Sequence, residues 1–177
     1  TVVILGVGRV GKAIAADLSL DYKVIALDVS AARLRAIQSS RIETVEADLA
    51  NVDKLKPVLR RGDVIVNALP GYLGFRTLKT AITLGKSICD ISFFAEDPFL
   101  LDALAKKNQV TALIDCGVAP GFSNMIAGFH SKRMKVEKFV CYVGGLPKTR
   151  TWPYEYKASW SPSDVIEEYH CVMTKVV

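Results

Sequence analysis

Gly6-Val7-Gly8-Arg9-Val10-Gly11 follows directly on an apolar run from Thr1 to Leu5, and Asp28 closes the next apolar run, Val24 to Leu27. Such spacing is chemistry for a phosphorylated ligand. Gly6 permits a tight turn, Gly8 lets the backbone approach a pyrophosphate, and Gly11 lets a following helix pack closely on the strand. The N–H groups of Arg9 and Val10 open that helix and face an anion. Asp28, 20 residues after Gly8, sits where a carboxylate accepts from ribose hydroxyls and repels a 2′-phosphate. NAD is therefore favoured over NADP, with Arg33, five residues on, read as a solvated side chain that can in principle reach a phosphate.

A second set of polar residues stands where later apolar runs end: Asn67 and Pro70, then Asp90 and Ser92, then Asp115. Two carboxylates on neighbouring strand ends can hold a cationic substrate or accept its proton. Each alone reads equally well as a cap on a helix or loop; Asp90 and Asp115 together tilt toward a catalytic role. Asp48, after the third run, is better placed for the adenine side of the nucleotide, and Asn67 and Pro70 are read as further cofactor-binding residues.

Positioning these residues requires strands that end on one edge. Apolar runs near 1–6, 23–28, 42–46, 63–68, 87–91 and 110–115 alternate with helix patterns, which calls for a parallel sheet covered on both faces. The expected architecture is α/β, a Rossmann doubly wound sheet of order 3-2-1-4-5-6. Ser30 and Asn51 read as helix caps, Gly62 and Gly85 as stops, Asp97-Pro98 as another helix start, and Pro57 as a residue that shortens or kinks the third helix. After Asp115 the character changes: Gly117-Val118-Ala119-Pro120-Gly121 reads as a loop, Phe122 to Lys132 as a helix, Phe139 to Val143 as a strand. Glu155 to Trp160 reads as another strand, and Ser161-Pro162-Ser163-Asp164 opens a helix. The reading is a nucleotide domain over 1–119 and the start of a mixed α+β substrate domain over 120–177. Both ends look cut, Thr1 lying already in a strand and the last residues stopping just after a helix begins, so a fragment is expected.

The 177 residues are half hydrophobic, enough for one sizeable core. Lys and Arg exceed Asp and Glu by 23 to 18, but the excess is scattered. Its densest stretch, Lys132, Arg133, Lys135 and Lys138, lacks the interleaved aromatics of a nucleic-acid platform and reads as a solvated helix end. No apolar run reaches transmembrane length and no charged leader precedes an apolar segment, so no membrane partner and a cytoplasmic location are expected. Cys89, Cys116, Cys141 and Cys171 lack metal-ligand or redox-pair spacing and read as reduced thiols, with no metal site. His130 and His170 lie far apart on helix patterns.

Three later segments carry more specific information. Asp115-Cys116-Gly117-Val118-Ala119-Pro120-Gly121-Phe122-Ser123-Asn124, Tyr142-Val143-Gly144-Gly145-Leu146-Pro147 and Tyr156-Lys157-Ala158-Ser159-Trp160-Ser161-Pro162 resemble the saccharopine dehydrogenase superfamily, with the lysine 6-dehydrogenase-like branch most similar. The resemblance runs to about Tyr169; relatives then carry roughly as much chain again. It implies an NAD-dependent oxidoreductase acting on the CH–NH bond of an amino acid or amine, first of all L-lysine at its ε-carbon, as a homodimer in the full-length protein. It also implies site roles for Asp90 and Asp115, which match acidic residues of that branch. In saccharopine reductases the positions of Phe93, Ala119 and Val143 are usually Tyr, Asp and Cys, so their absence argues against that branch. The alternatives are a reductive enzyme that condenses an aldehyde with an amine, and a non-catalytic NAD-sensing domain like those of potassium uptake systems, which the first 65 residues also resemble.

Overall fold

A computed structural model describes residues 1–144, 146–153, 155 and 166. The chain divides into two compact units, Thr1–Cys116 and Gly117–Val177.

The first unit is built on six parallel strands, β1 (Val2–Leu5), β2 (Val24–Asp28), β3 (Ile42–Glu46), β4 (Val64–Asn67), β5 (Ser87–Asp90) and β6 (Ala112–Leu113). Their order is β3-β2-β1-β4-β5-β6. Strands β1 and β2 are buried on both faces, as their unbroken Val, Ile, Leu and Ala content requires in a parallel sheet. Alternate residues feed two cores. Val3, Leu5, Ile25, Leu27, Ile65 and Ile88 face one side, where they meet Leu55 and Leu59 of α3 (Val52–Leu59) and Leu78, Ala81 and Ile82 of α4 (Gly71–Thr83). Val2, Ile4, Val24, Ala26 and Val66 face the other, under Ala15 of α1 (Arg9–Leu18) and Leu34 of α2 (Ala31–Arg35).

Register aligns the strand ends that matter. Leu5 pairs with Asn67 and Asn67 with Asp90, so the polar ends of β4 and β5 lie side by side. Because Ile65 and Ile88 belong to the α4-side core, Asn67 and Asp90, two residues further on, emerge on that same side.

Several expectations take a different form. Of the sixth strand expected over 110–115, only Ala112 and Leu113 are paired in strand. A regular parallel ladder would next have the N–H of residue 115 donate to Asp90 O. Instead Cys116 N makes that bond at 2.9 Å, and Asp115 has φ 53°. Asp115 is thus an inserted residue, a β-bulge that ends the strand. Ser30 does cap α2, accepting from Arg33 N at 3.4 Å, whereas Asn51 precedes α3 without a side-chain bond. Asp48 shapes that turn instead, its Oδ1 accepting from Ala50 N. Pro57 lies inside α3, which stops two residues later at Leu59. Asp97 accepts from Phe99 N and opens a 3-10 turn, Pro98–Leu101, leading into α5 (Asp102–Asn108).

In the second unit the helix expected over 122–132 is α6 (Phe122–Ser131), whose start is tied by Gly121 N donating to Asn124 Oδ1 at 3.0 Å. Phe139 to Val143, expected as a strand, is exposed and pairs with no strand among the described residues. The strand read over Glu155 to Trp160 and the helix opened at Ser161 lie outside the described residues, apart from Glu155 and Ile166.

Candidate dinucleotide and substrate site

The three fingerprint glycines have three separate steric causes. Gly6 adopts φ +91°, and a Cβ on it would stand 2.7 Å from Ala68 O. Gly11 lies so tightly under the loop that a Cβ would fall 1.9 Å from Gly6 O, which seats the first turn of α1 against the end of β1. Gly8 is the opposite case: nothing lies within 4 Å of where its Cβ would be. It occupies the N-cap of α1 without a side-chain cap, and the N–H groups of Val10 and Gly11, in the first turn, have no intrahelical acceptor. The dipole of the ten-residue helix adds positive potential there.

Asp28, expected at a ribose, is placed at this loop. It is 2 % exposed. Its Oδ2 accepts from Val7 N at 2.7 Å and its Oδ1 from Ser30 N at 2.8 Å. The carboxylate therefore clamps the glycine loop onto the end of β2. Arg33, largely exposed, brings Nη1 within 3.7 Å of Asp28 Oδ2, so the same corner carries a guanidinium as well as a carboxylate. Asp48 is exposed at the end of the β3 connection, with its Oδ1 occupied by the Ala50 turn.

At the ends of β4 and β5 a buried polar cluster forms. Asn67 and Asp90 are fully buried and Ser92 nearly so. Asn67 Nδ2 donates to Asp90 Oδ2 at 2.8 Å and lies 3.4 Å from Ser92 Oγ. Asp90 Oδ1 accepts from both Ser92 N, at 2.7 Å, and the Ser92 hydroxyl. Burial pushes the Asp90 carboxyl above the usual carboxylate range; the bonds from Ser92 and Asn67 oppose that shift, and neighbouring Asp115 adds to it. Asp115 is half-buried, and desolvation raises its carboxyl too. Burial likewise pushes the thiols of Cys89 and Cys116 up, away from thiolate chemistry. Among the described residues no group of three or more His, Cys, Asp or Glu could hold a metal ion.

Two features escaped sequence reasoning. A Cβ on Gly71 would fall 1.9 Å from Phe93 O, and one on Gly74 would fall 2.2 Å from Ser92 Oγ. The paired glycines let α4 settle directly on the 92–94 segment, so the helix roofs the Asn67–Asp90–Ser92 cluster. Their one-turn spacing on a helix is the signal that could have revealed this, and Thr77 and Leu78 continue the buried face. Pro70 is the exposed N-cap of that helix.

The residues present fit a dinucleotide. The open space above Gly8 leaves room for a phosphate, with no protein atom within 4 Å of where its Cβ would be. Asn67 Oδ1 is a buried acceptor without a hydrogen-bond partner, a state that native structures seldom leave unfilled.

Comparison with known proteins agrees with this layout. The family model for the saccharopine dehydrogenase NADP binding domain matches residues 2–113, and that for the saccharopine dehydrogenase C-terminal domain matches residues 117–172. The chain belongs to the saccharopine dehydrogenase family. It is 31% identical over 134 residues to an alpha-aminoadipic semialdehyde synthase of Arabidopsis thaliana, covering 72% of this chain and 13% of that protein. It is 26% identical over 129 residues to a saccharopine dehydrogenase [NADP(+), L-glutamate-forming] of Pyricularia oryzae, covering 69% of this chain and 29% of that one. Among solved structures, the apo saccharopine dehydrogenase (L-Glu forming) of Saccharomyces cerevisiae superposes with a TM-score of 0.68 at 21% identity, over 93% of this chain and 39% of that one. The chain thus spans less than a third of the length of these two curated relatives, and its first unit is the family's dinucleotide-binding domain. Among the described residues no helix is long and apolar enough to cross a membrane.

Proposed function

We propose that this protein is a nicotinamide-dependent oxidoreductase that opens the CH–NH bond of an amino acid, with L-lysine at its ε-carbon as the first candidate substrate and NAD as the favoured acceptor. The observation that carries the reading is the pairing, on one sheet edge, of an uncapped glycine loop with two neighbouring carboxyls whose affinity for protons is raised by burial. A bound nicotinamide supplies a hydride acceptor. The protein's task is then to take a proton. An ammonium has no lone pair to drive hydride loss, so a carboxylate must first accept one N–H proton; the freed pair forms the C=N bond as hydride leaves carbon, and water hydrolyses the imine to aldehyde and ammonia. Asp115 and Asp90 are the two carboxyls available. Half-buried Asp115 suits the role better than Asp90, whose two oxygens are committed to Asn67 and Ser92.

A second reading has its own support: the relatives' names specify saccharopine and NADP(+). Saccharopine carries a secondary amine, and the same proton removal and hydride loss followed by hydrolysis would release glutamate. Arg33 beside Asp28 is compatible with a 2′-phosphate. Against this stand Phe93, Ala119 and Val143, where saccharopine reductases usually carry Tyr, Asp and Cys.

Nicotinamide absorbance decides between them. The protein is mixed with NAD or NADP and with lysine, ornithine, saccharopine or short diamines. Reduction with lysine supports the first reading, and reduction with saccharopine alone the second. Tight dinucleotide binding with no reduction across the panel would remove both and leave nucleotide sensing or a reductive condensation of an aldehyde with an amine.

A further inference from the structure

Asp115 is in an unusual place for a residue that must hold a proton acceptor steady. It is a non-glycine residue with φ 53°, inserted as a bulge at the last pairing of the edge strand β6. Strained backbone of this kind persists only where neighbouring structure holds it, and bulges beside sites re-aim a side chain. What closes the ladder after the bulge is a single backbone bond, Cys116 N to Asp90 O at 2.9 Å. The Asp90 side chain is in turn gripped by Ser92 through two donors and by Asn67 through a third. Ser92 occupies the space that Gly74 leaves empty under α4. A continuous chain of contacts therefore runs from α4 through Ser92 and Asp90 to the residue after Asp115.

We infer that Asp90 is a positioning residue for Asp115: its carboxyl, locked by Asn67 and Ser92, fixes the carbonyl on which Cys116 closes and so holds the bulge that presents Asp115. Resting on the assignment of Asp115 as proton acceptor, this inference gives the second carboxyl a different task from the first. Burying a carboxyl under α4 costs free energy, and a purely apolar strand end would pack there without that cost. The acceptor geometry at Asp90, with donors arriving on both oxygens, instead sets the direction of the β5 exit.

The test uses the full chain and two readouts that need no turnover. Amide hydrogen exchange reports the Cys116 N–H, and carbon NMR of labelled aspartate reports the Asp115 titration. Asp90→Asn places an amide donor against the Asn67 donor or against those of Ser92. It should speed Cys116 exchange at least about tenfold relative to Ile65 in the sheet core, about 1.4 kcal/mol of local opening, and move the Asp115 titration down toward the ordinary range. Asn67→Asp combined with Asp90→Asn restores a donor–acceptor match and should recover Cys116 protection. If Asp90→Asn does not fold, Ser92→Ala loosens the same clamp and is read in the same way. Unchanged Cys116 exchange and an unmoved Asp115 titration in a folded variant would overturn the inference, as would equal loss of protection at Ile65 and Cys116. Movement of both readouts without amine turnover by the wild type would leave the positioning intact and remove the proposed reaction; turnover by a wild type whose Cys116 ignores Asp90→Asn would do the reverse.

Discussion

Gly8→Ala and Gly11→Ala separate a ligand's requirement from the fold's. Gly8 has extended backbone, φ −72° and ψ −163°, which alanine adopts freely, and its added methyl would meet no protein atom within 4 Å. Alanine is a poorer N-cap than glycine by up to about 1 kcal/mol, but it reduces the freedom of the unfolded chain by about 0.4–1 kcal/mol. The two nearly cancel, so the apoprotein should melt close to wild type. The methyl would, however, stand where a pyrophosphate approaches the first turn of α1. Losing one charge-assisted N–H contact is worth about 1.5–3 kcal/mol, so the dissociation constant for the dinucleotide should rise about 10- to 100-fold. Gly11→Ala behaves in the opposite way. Its Cβ would fall 1.9 Å from Gly6 O, a backbone atom that cannot rotate away. Overpacking of that severity costs about 3 kcal/mol, and at about 2–4 °C per kcal/mol for a chain of this length the midpoint should drop about 6–12 °C. Circular dichroism melts of the apoprotein and fluorescence titrations with NADH and NADPH measure both quantities. A Gly8→Ala protein that binds as tightly as wild type would refute the assignment of the loop as a phosphate cradle; one that melts as early as Gly11→Ala would refute the steric reasoning.

Asp28→Ala should weaken NAD binding and narrow the gap to NADP, and unchanged NAD affinity in calorimetry would sink the NAD assignment; because two backbone N–H groups lose their acceptor, the melting midpoint should fall as well. Arg33→Ala should weaken NADPH binding more than NADH binding, and equal effects on the two would mean that the guanidinium serves only its contact with Asp28. Asp115→Asn should melt higher than wild type at pH 7 while turning over more slowly. Desolvation raises the native carboxyl above its ordinary 3.8, so the native state binds more protons and wild-type stability falls as pH rises from 3.8 through the raised value. Asn tolerates positive φ and carries no charge, so its advantage should vanish below about pH 4; an advantage that persists there would mean that burial of the charge is not its source. Gly74→Ala should cost about 1–3 kcal/mol for the collision with Ser92 Oγ, less about 1 kcal/mol of helix propensity. Ser92→Ala in the same chain should recover part of that loss, and simple additivity in denaturant titrations would show that the two sites do not touch.

What could be read in advance divides along a physical line. The sheet order follows from which apolar runs are buried on both faces and from right-handed crossovers, and both are properties of a strand's own composition. The glycine loop is legible for a similar reason, since Gly6 and Gly11 answer to steric demands that no other residue meets. Asp115 is different. Counting apolar residues extends β6 through 115, whereas the strand stops at Leu113 because one residue takes positive φ and lets Cys116 reach Asp90 O. That choice depends on a neighbouring strand, and nothing in the run from Val110 to Ile114 encodes it. Asp28 shows the limit from the other side: its type and its distance from Gly8 point to the glycine loop, but its grip on Val7 and Ser30 emerges only once the loop and the β2 exit are brought together. Because the carboxylate holds Val7 and Ser30, Asp28→Ala disturbs the loop as well as any ligand contact, and for that reason the measurement at Asp28 must read stability beside affinity.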